Sequence, residues 1–552
     1  MDRFRFAKAS RDRTFAAFKK ATVTLAMTAA VWLPGYANAK DPATTLVIAS
    51  PSTPQGLDNE YDVSLGTVDV LGALYDYLVE YETIPDPEVP GVMREDTSVH
   101  ADRIGGLALR GKLAERWGIS PDGTKVTFVL RKGVVSNWGN PLTAEDVKWS
   151  WDRKFALAAQ GSFYTSVIGL ASPDAVTVEG PDTVSFALDG PTPLALKIHT
   201  ILGNPIYDSK KLKEVGGTED PWGTAFLKND SAGFGPYRVK QIVRGQQAVF
   251  EARPDYWGKQ PFMKTVVMRE IPNSASRLSL LQGGAVDIAQ FLQPREYLSL
   301  KNAANATYDA IDASYMLWMV LNANIPPFNK PEVRQAINYA IPRDQILETA
   351  FYGLASKQTA PLPKIYPMAD TGFFDYDLDL DKAKALLKEA GLEDGFSTTI
   401  AFDAGNPVQE PIAMIVQSSL RKIGIEVTLE KLPAGVFYEN VTKRQKPIIF
   451  YQDAPWAPDP GYATRLFFHK DSFPNYSNYA NAEVSKLIDS GMQTMDDEQR
   501  RAIYRQVQKT IMEEAPWGFV AYPKYVLARK KNITGFTYYT SNNLRFQDFA
   551  RK

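Results

Sequence analysis

The stretch from Glu115 to Arg153, ERWGISPDGTKVTFVLRKGVVSNWGNPLTAEDVKWSWDR, restricts the possible folds of this chain more than any other. Ser120-Pro121-Asp122-Gly123 reads as a turn, because proline presets φ and glycine accepts the positive φ that ends a tight reversal. After it, Val126, Phe128 and Leu130 alternate with Thr127, Val129 and Arg131. That period of two, rich in β-branched residues, predicts a strand. Pro141-Leu142 then leads to Thr143, with Asp146 three residues on, a capping box built with the shorter acid. A helix is expected to start at Thr143 and to carry Val147, Trp151 and Phe155 on one face. This order of elements says little about function by itself.

At 552 residues a single hydrophobic core is not expected, so the chain should divide into two or more lobes. Its 44% hydrophobic and 23% charged residues are a globular composition without a disordered bias. A formal net charge of −1 gives no electrostatic basis for nucleic-acid binding. The lack of cysteine excludes disulfides, thiolate metal sites and thiol catalysis.

Residues 1–39 have the features of a secretory signal peptide. Arg3, Arg5, Lys8, Arg11, Arg13, Lys19 and Lys20 form a cationic start, Ala21 to Leu33 is an apolar run, and Ala37-Asn38-Ala39 fits a cleavage site. The run falls short of the ~20 apolar residues that span a bilayer, and Pro34-Gly35 breaks it. Cleavage after Ala39, export and a soluble periplasmic product are therefore expected. Seven of the 62 basic and two of the 63 acidic residues lie in this segment, leaving 55 and 61 in the expected mature chain.

Thr44 to Ala49 reads as a short apolar strand, and Pro51 to Leu57 as the loop after it. Residues 83–105 are rich in proline and acids and read as a surface loop. Ala175 to Val178 and Thr183 to Phe186 flank Glu179-Gly180-Pro181-Asp182, a hairpin by its turn chemistry. In GFGPYRV, Gly233 to Val239, the Gly-x-Gly pair lacks the third glycine and following helix of a phosphate loop, which favours a structural turn. Asn329 is placed to cap a helix with Pro331 in its first turn and Val333, Ala336, Ile337, Ala340 and Ile341 inward; Pro342 marks its end. Asp379 to Gly391 predicts another, with Ala383, Leu386, Leu387 and Ala390 inward and Gly391 as C-cap. Helical stretches also fall around 412–423 and 500–512.

The words LAERW, SPDG, TFVLRKGV and PLTAEDVKWSWDR resemble the signature of the extracellular solute-binding proteins of family 5. These are the peptide-, nickel- and oligosaccharide-binding components of ABC importers. GFGPYRV, PDYWG (Pro254 to Gly258) and LNANIPPFNKPEVRQAINYAIPRDQI (Leu321 to Ile346) extend the resemblance, which runs in pieces from Leu46 to Phe546. It implies an α/β fold, a two-lobed periplasmic binding protein that is class II-like and of the large cluster, with an extra subdomain in the first lobe and mixed sheets flanked by helices. Lobe I is expected over 40–271, including a subdomain at roughly 60–175. Lobe II then covers 272–522, with the first crossing near Ile271, and a return segment 523–552 completes lobe I. GALYDYLVEY, Gly72 to Tyr81, resembles the next helix of the family. Its first strand ends at the ligand cleft, which makes Ser52 and Thr53 expected contacts.

Nothing in the chain asks for catalysis, a metal or a cofactor. His100, His199 and His469 are widely spaced without a His-Glu-x-x-His word, and no Gly-x-Ser-x-Gly elbow is present. The informative stretch is YQDAPWAPDPGYATRLFF, Tyr451 to Phe468, dense in aromatics and prolines with two acids and Arg465. It reads either as a buried aromatic loop or as a cleft wall in which rigid aromatics cover a ligand and a few charges orient it. Peptide binders of the resembled family carry Trp-x-x-Asp-x-x-Asp-Pro here, the middle acid pairing with the α-ammonium of the peptide. This chain has Asp453-x-x-Trp456-x-x-Asp459-Pro460, with the first acid and the tryptophan interchanged. Either Asp453 compensates from a neighbouring turn, or the ligand is a sugar, an opine-like conjugate or a modified peptide. Tyr451, Asp453, Trp456, Asp459 and Arg465 join Ser52 and Thr53 as expected contacts, with Asp459 alternatively holding the loop through backbone N–H groups.

The resemblance implies a monomeric binding component of an ABC importer. It would capture a peptide-like, oligosaccharide or opine-like solute by lobe closure and deliver it to a membrane permease. The competing reading is an exported hydrolase acting on a saccharide or peptide through paired carboxylates. A chemoreceptor accessory or nickel carrier is a further alternative, against which the poverty of histidine argues for nickel.

Overall fold

The computed structural model describes residues 41–552 apart from Val63 and Ala158; the expected signal segment 1–39 lies outside the described residues. Two large sheets organise the chain. The first runs in the order Tyr237–Val243, Gln247–Ala252, Thr265–Glu270, Thr45–Ser50, Ile288–Ala289, Tyr525–Lys530, Ala306–Ile311. The second runs Ala355–Lys357, Trp517–Pro523, Met316–Leu321, Ile448–Asp453, Phe396–Asp403, Ile425–Leu432. Both mix parallel and antiparallel neighbours, and helices pack against them, as the α/β reading requires. Thr45–Ser50 is parallel to both of its neighbours, and Leu46, Ile48 and Ala49 are buried as a central strand demands.

The chain does not leave the first sheet near Ile271, which corrects that expectation. Helix Ser274–Gln282 and strands Ile288–Ala289 and Ala306–Ile311 all belong to the first sheet side, and departure follows Ile311. Arg277 explains the fold-back: its guanidinium donates to the backbone carbonyls of Ile271, Pro272, Gln290 and Phe291 at 2.6–2.8 Å. The return passes through Lys524, between Trp517–Pro523 and Tyr525–Lys530. Ala306–Ile311 pairs antiparallel with Tyr525–Lys530, and Met316–Leu321 pairs antiparallel with Trp517–Pro523. A two-stranded ribbon thus runs through both sheets, its pairing interrupted at 312–316 and 522–524. At that joint Lys524 Nζ donates to Asp312 at 2.7 Å, and the Tyr315 and Tyr525 rings lie 7° from parallel.

A smaller antiparallel sheet, Ala114–Ile119, Lys125–Leu130, Thr183–Ala187, Val176–Gly180, occupies the first half of the chain. Its strands fall within 114–187 and so extend past the expected 60–175. Val126, Phe128 and Leu130 are buried as their alternation predicts, and the expected hairpin is present. The following helix spans Ala144–Leu157, with Asp146 accepting from the Thr143 N–H at 2.8 Å and its hydroxyl at 3.0 Å. Val147 and Trp151 are buried and Phe155 partly so. The buried core of this sheet is continuous with that of the second large sheet.

Three local readings change. GALYDYLVEY is not one helix: Leu65–Leu74 ends within it, and Val79–Tyr81 is a strand paired with Leu109–Gly111. The backbone of Tyr77 and Leu78 is taken by neighbours, their carbonyls accepting from Leu113, Lys112 and Ala114. Residues 83–105 are more than a loop, since Thr83–Pro85, Met93–Glu95 and Thr537–Tyr538 form a sheet and the buried Glu95 accepts from Thr540. The cap of Pro331–Ala340 is Lys330, not Asn329, because the residue before proline is driven to extended backbone. The Gly233 and Gly235 turn is structural: a Cβ at Gly235 would lie 2.4 Å from the Leu74 backbone. Asp379 caps Leu380–Glu389, whose C-cap is Ala390 with the expected Gly391 one residue beyond at φ 72°, and the remaining predicted helices span Gln409–Arg421 and Asp497–Glu514.

His199 sits between Phe128, Trp151 and Phe186, with ring centroids 4.6–5.2 Å away and no hydrogen bond to Nε2. Burial pushes its pKa down to about 3. The neutral ring therefore contributes stability that is complete above the unfolded value near 6.5 and is lost as pH falls toward 3. His199→Phe should keep the fold and recover about 2 kcal/mol of the stability that the native protein loses between pH 7 and pH 5. Urea unfolding at each pH measures this.

Candidate functional site

The aromatic stretch that begins at Tyr451 lies beside the joint. Asp453 ends strand Ile448–Asp453 and pairs in register with Met316, the residue after Tyr315. Its side chain is half-buried and accepts only from the Ala454 N–H at 2.7 Å and the Tyr451 hydroxyl at 3.4 Å. Among the described residues no lysine, arginine or histidine forms an ion pair with it. Burial outweighs the two hydrogen bonds and pushes the Asp453 carboxyl up to about 6.

Several tyrosines lie within electrostatic range of this acid. Burial raises the phenol pKa values of Tyr164, Tyr315, Tyr438, Tyr451, Tyr462 and Tyr476, and in each the Asp453 charge adds to the rise. They come from separate parts of the chain and supply hydroxyls and π faces but no counter-charge. Beneath them Trp318 stacks on Trp517 at 4.1 Å and meets Tyr451 edge-on at 5.4 Å, a packed base that fixes the strand end. Trp456 is partly buried and packs against the cores of both large sheets.

Asp459 is organised differently. It is fully buried and caps helix Pro460–Phe468, accepting from the N–H groups of Gly461 at 2.8 Å and Tyr462 at 3.3 Å. Arg500 reaches it at 2.6 Å and Lys197 at 2.7 Å. Burial alone would raise its pKa, but Arg500 and Lys197 prevail and hold the carboxyl well below the usual carboxylate range. With its acceptor capacity used, Asp459 is the structural acid of the stretch. Lys197 belongs to the segment after the small sheet, so the first half of the chain grips the second here. The rings of Phe163 and Tyr462, 5.4 Å apart, add to the same contact.

Of the residues expected at the site, the structure brings Tyr451, Asp453 and Trp456 to the joint. Arg465 is committed to Asp489 at 2.8 Å on the next helix, Ala482–Gln493. The Thr53 N–H and hydroxyl both donate to Glu270, at 2.9 and 2.7 Å, while Ser52 is partly buried on the loop beside it. Tyr315, Tyr525 and Lys197 escaped the sequence reading because only long-range pairing places them here. Asp69 also escaped, although a lone acid in LGTVDVLGAL, the apolar helix Leu65–Leu74, was a visible signal. Among the described residues no group of three or more His, Asp or Glu is arranged to hold a metal, and no helix is long and apolar enough to cross a membrane.

The family model for bacterial extracellular solute-binding proteins, family 5, matches residues 108–475. The chain is 31% identical over 512 residues to the probable D,D-dipeptide-binding periplasmic protein DdpA of Escherichia coli (strain K12), across 91% of this chain and 93% of the relative. It is 26% identical over 527 residues to the dipeptide-binding protein of the same strain, across 90% and 92%. A solved structure, the ABC transporter-associated periplasmic binding protein DppA from Helicobacter pylori in complex with peptide STSA, superposes with a TM-score of 0.80 at 26% identity, covering 92% of this chain and 98% of the other. The strand–loop–helix words, the two sheets joined by a double crossing and these likenesses agree: the chain belongs to the bacterial extracellular solute-binding proteins, family 5.

Proposed function

We propose that the protein captures a short, free-amine solute of dipeptide size in the periplasm, closes its lobes over it and presents it to the permease of an ABC importer, without chemistry on the ligand. The observation that carries this reading is Asp453, a partly buried carboxylate beside the joint that accepts from the Tyr451 hydroxyl and, among the described residues, has no ion-pair partner. A ligand ammonium supplies the missing charge, and aromatic faces within about 6 Å attract a cation further. Relatives whose names state dipeptide and D,D-dipeptide binding support an amine-bearing ligand. Asp453 thus does from the strand end what the interchanged motif position does elsewhere in the family, and Trp456 offers a flat apolar face. A sugar or an opine without an amine would leave Asp453 uncompensated. The relatives lend no support to an exported hydrolase.

The pH dependence follows from Asp453. In the empty protein its pKa is raised to about 6, so it contributes stability at low pH that is lost as pH rises from about 4 through 6. Ammonium binding needs the ionised form, so affinity should fall about tenfold per pH unit below 6. Asp453→Asn should melt no lower than the native protein at pH 7.5 yet bind L-Ala-L-Ala and D-Ala-D-Ala at least tenfold more weakly. Trp456→Ala should lose about 2 kcal/mol of binding. Calorimetry with these dipeptides and their N-acetyl forms is decisive: equal affinity for the acetylated peptides would end the amine reading.

Closure has its own test. Lys197 joins the two halves through Asp459, and Arg500 remains with Asp459 when Lys197 is removed. Lys197→Met should therefore leave each lobe folded but enlarge the radius of gyration of the empty protein in small-angle scattering. Asp459→Asn strands two buried cations and should cost about 3–5 kcal/mol in urea unfolding.

A further inference from the structure

A second polar group faces the joint from the first sheet. Strands Thr45–Ser50 and Ile288–Ala289 are parallel neighbours in the register Ile48 to Ile288 and Ala49 to Ala289, and the Gln290 N–H extends that ladder to the Ala49 carbonyl at 3.0 Å. The next row sets Ser50 and Gln290 side by side on one face, at the carboxyl ends of the strands. Asp69 of helix Leu65–Leu74 closes over them: its carboxylate accepts from Gln290 Nε2 and, at 2.6 Å, from the Leu544 N–H. Ser50, Asp69 and Gln290 are 0, 2 and 2% exposed.

Two polar atoms in this socket, Ser50 Oγ and Gln290 Oε1, have no hydrogen-bond partner among the described residues. Among the described residues Asp69 has no cation in ion-pair contact, and burial pushes its carboxyl up to about 6 against its two hydrogen bonds. An amide oxygen, a hydroxyl and a carboxylate together accept more hydrogen bonds than they donate. The group that satisfies all three is a nitrogen-centred cation. The socket lies toward the joint: Ala289, the residue before Gln290, pairs with Ala528, three residues along the strand from Tyr525, which stacks on Tyr315 there.

We infer that the ligand carries a second cation, a basic side chain on a dipeptide-sized solute, which enters the socket of Ser50, Asp69 and Gln290 while its amino group pairs with Asp453. This rests on the reading of Asp453 as the amine site. The socket sets side-chain preference, and Asp453 sets the requirement for a free amine.

The test compares Ala-Lys and Lys-Ala with Ala-norleucine and norleucine-Ala, which keep the four-carbon side chain and lose its ammonium. Calorimetry at pH 7.5 should show at least one lysine peptide binding ten or more times tighter than its norleucine counterpart. Asp69→Asn should abolish that ratio, and Ser50→Ala should reduce it in the same way. Thermal melting checks both folds; if Asp69→Asn does not fold, Ser50→Ala carries the test. Asp453→Asn should weaken lysine and norleucine peptides alike. A ratio near one in the native protein, or a ratio that survives both socket variants, overturns the inference and leaves the socket a water site, while the amine requirement stands or falls on the acetylated peptides. Failure of the native protein to bind any of the four peptides overturns it too.

Discussion

The ribbon that threads both sheets is the constraint on which the rest of the structure depends. One pair of antiparallel strands belongs to the first sheet, its continuation belongs to the second, and the ladder between them lapses across 312–316 and 522–524. Bending is soft there because no ladder bonds must break. Twisting is resisted because two chains cross side by side, pinned by Asp312 with Lys524 and by the stacked Tyr315 and Tyr525. Everything proposed for recognition is arranged around that short gap, where the walls of both lobes stay within reach of one small molecule.

Buried charge is handled in more than one way in this protein. Some buried charges are matched by ions, while others, such as Glu95 and Asp146, are held by hydroxyl and backbone donors. Arg153 meets Asp58 through two bonds at 2.8 and 2.6 Å, Lys154 meets Glu60 at 3.0 Å, and Glu80 is shared by Lys112 and Arg545. Arg277 and Arg343 instead saturate backbone carbonyls and hold chain reversals in place. Among the described residues Asp453 and Asp69 have only neutral partners, and burial raises both carboxyls to about 6. On the readings proposed above, a cationic ligand would supply the missing charge.

The local grammar was legible and the long-range geometry was not. The alternation at Val126, Phe128 and Leu130 and the acid at Asp146 were readable because a strand face and a helix cap are decided within a few residues. The aromatic density around Tyr451 marked a stretch that the structure sets beside the joint. The crossing was misplaced because Arg277 turns the chain back through carbonyls contributed from both sides of its helix, a choice no composition change announces. Leu74 to Tyr81 misled for the opposite reason: a helix-like apolar run was converted to strand by partners more than twenty-five residues downstream. Arg465 looked like a cleft charge only until Asp489 was placed beside it, and Lys197 is 262 residues from the acid that it serves.

The Asp459 carboxylate is held by one cation from each half of the chain, Lys197 and Arg500, and by two helix N–H groups. On the closure proposed above, Lys197 would withdraw on opening while Arg500 and the two N–H groups stay with the acid, so the carboxylate would keep a counter-charge in both states. The contact would then act as a catch and not as a weld, freeing a ligand without unfolding the loop beside it.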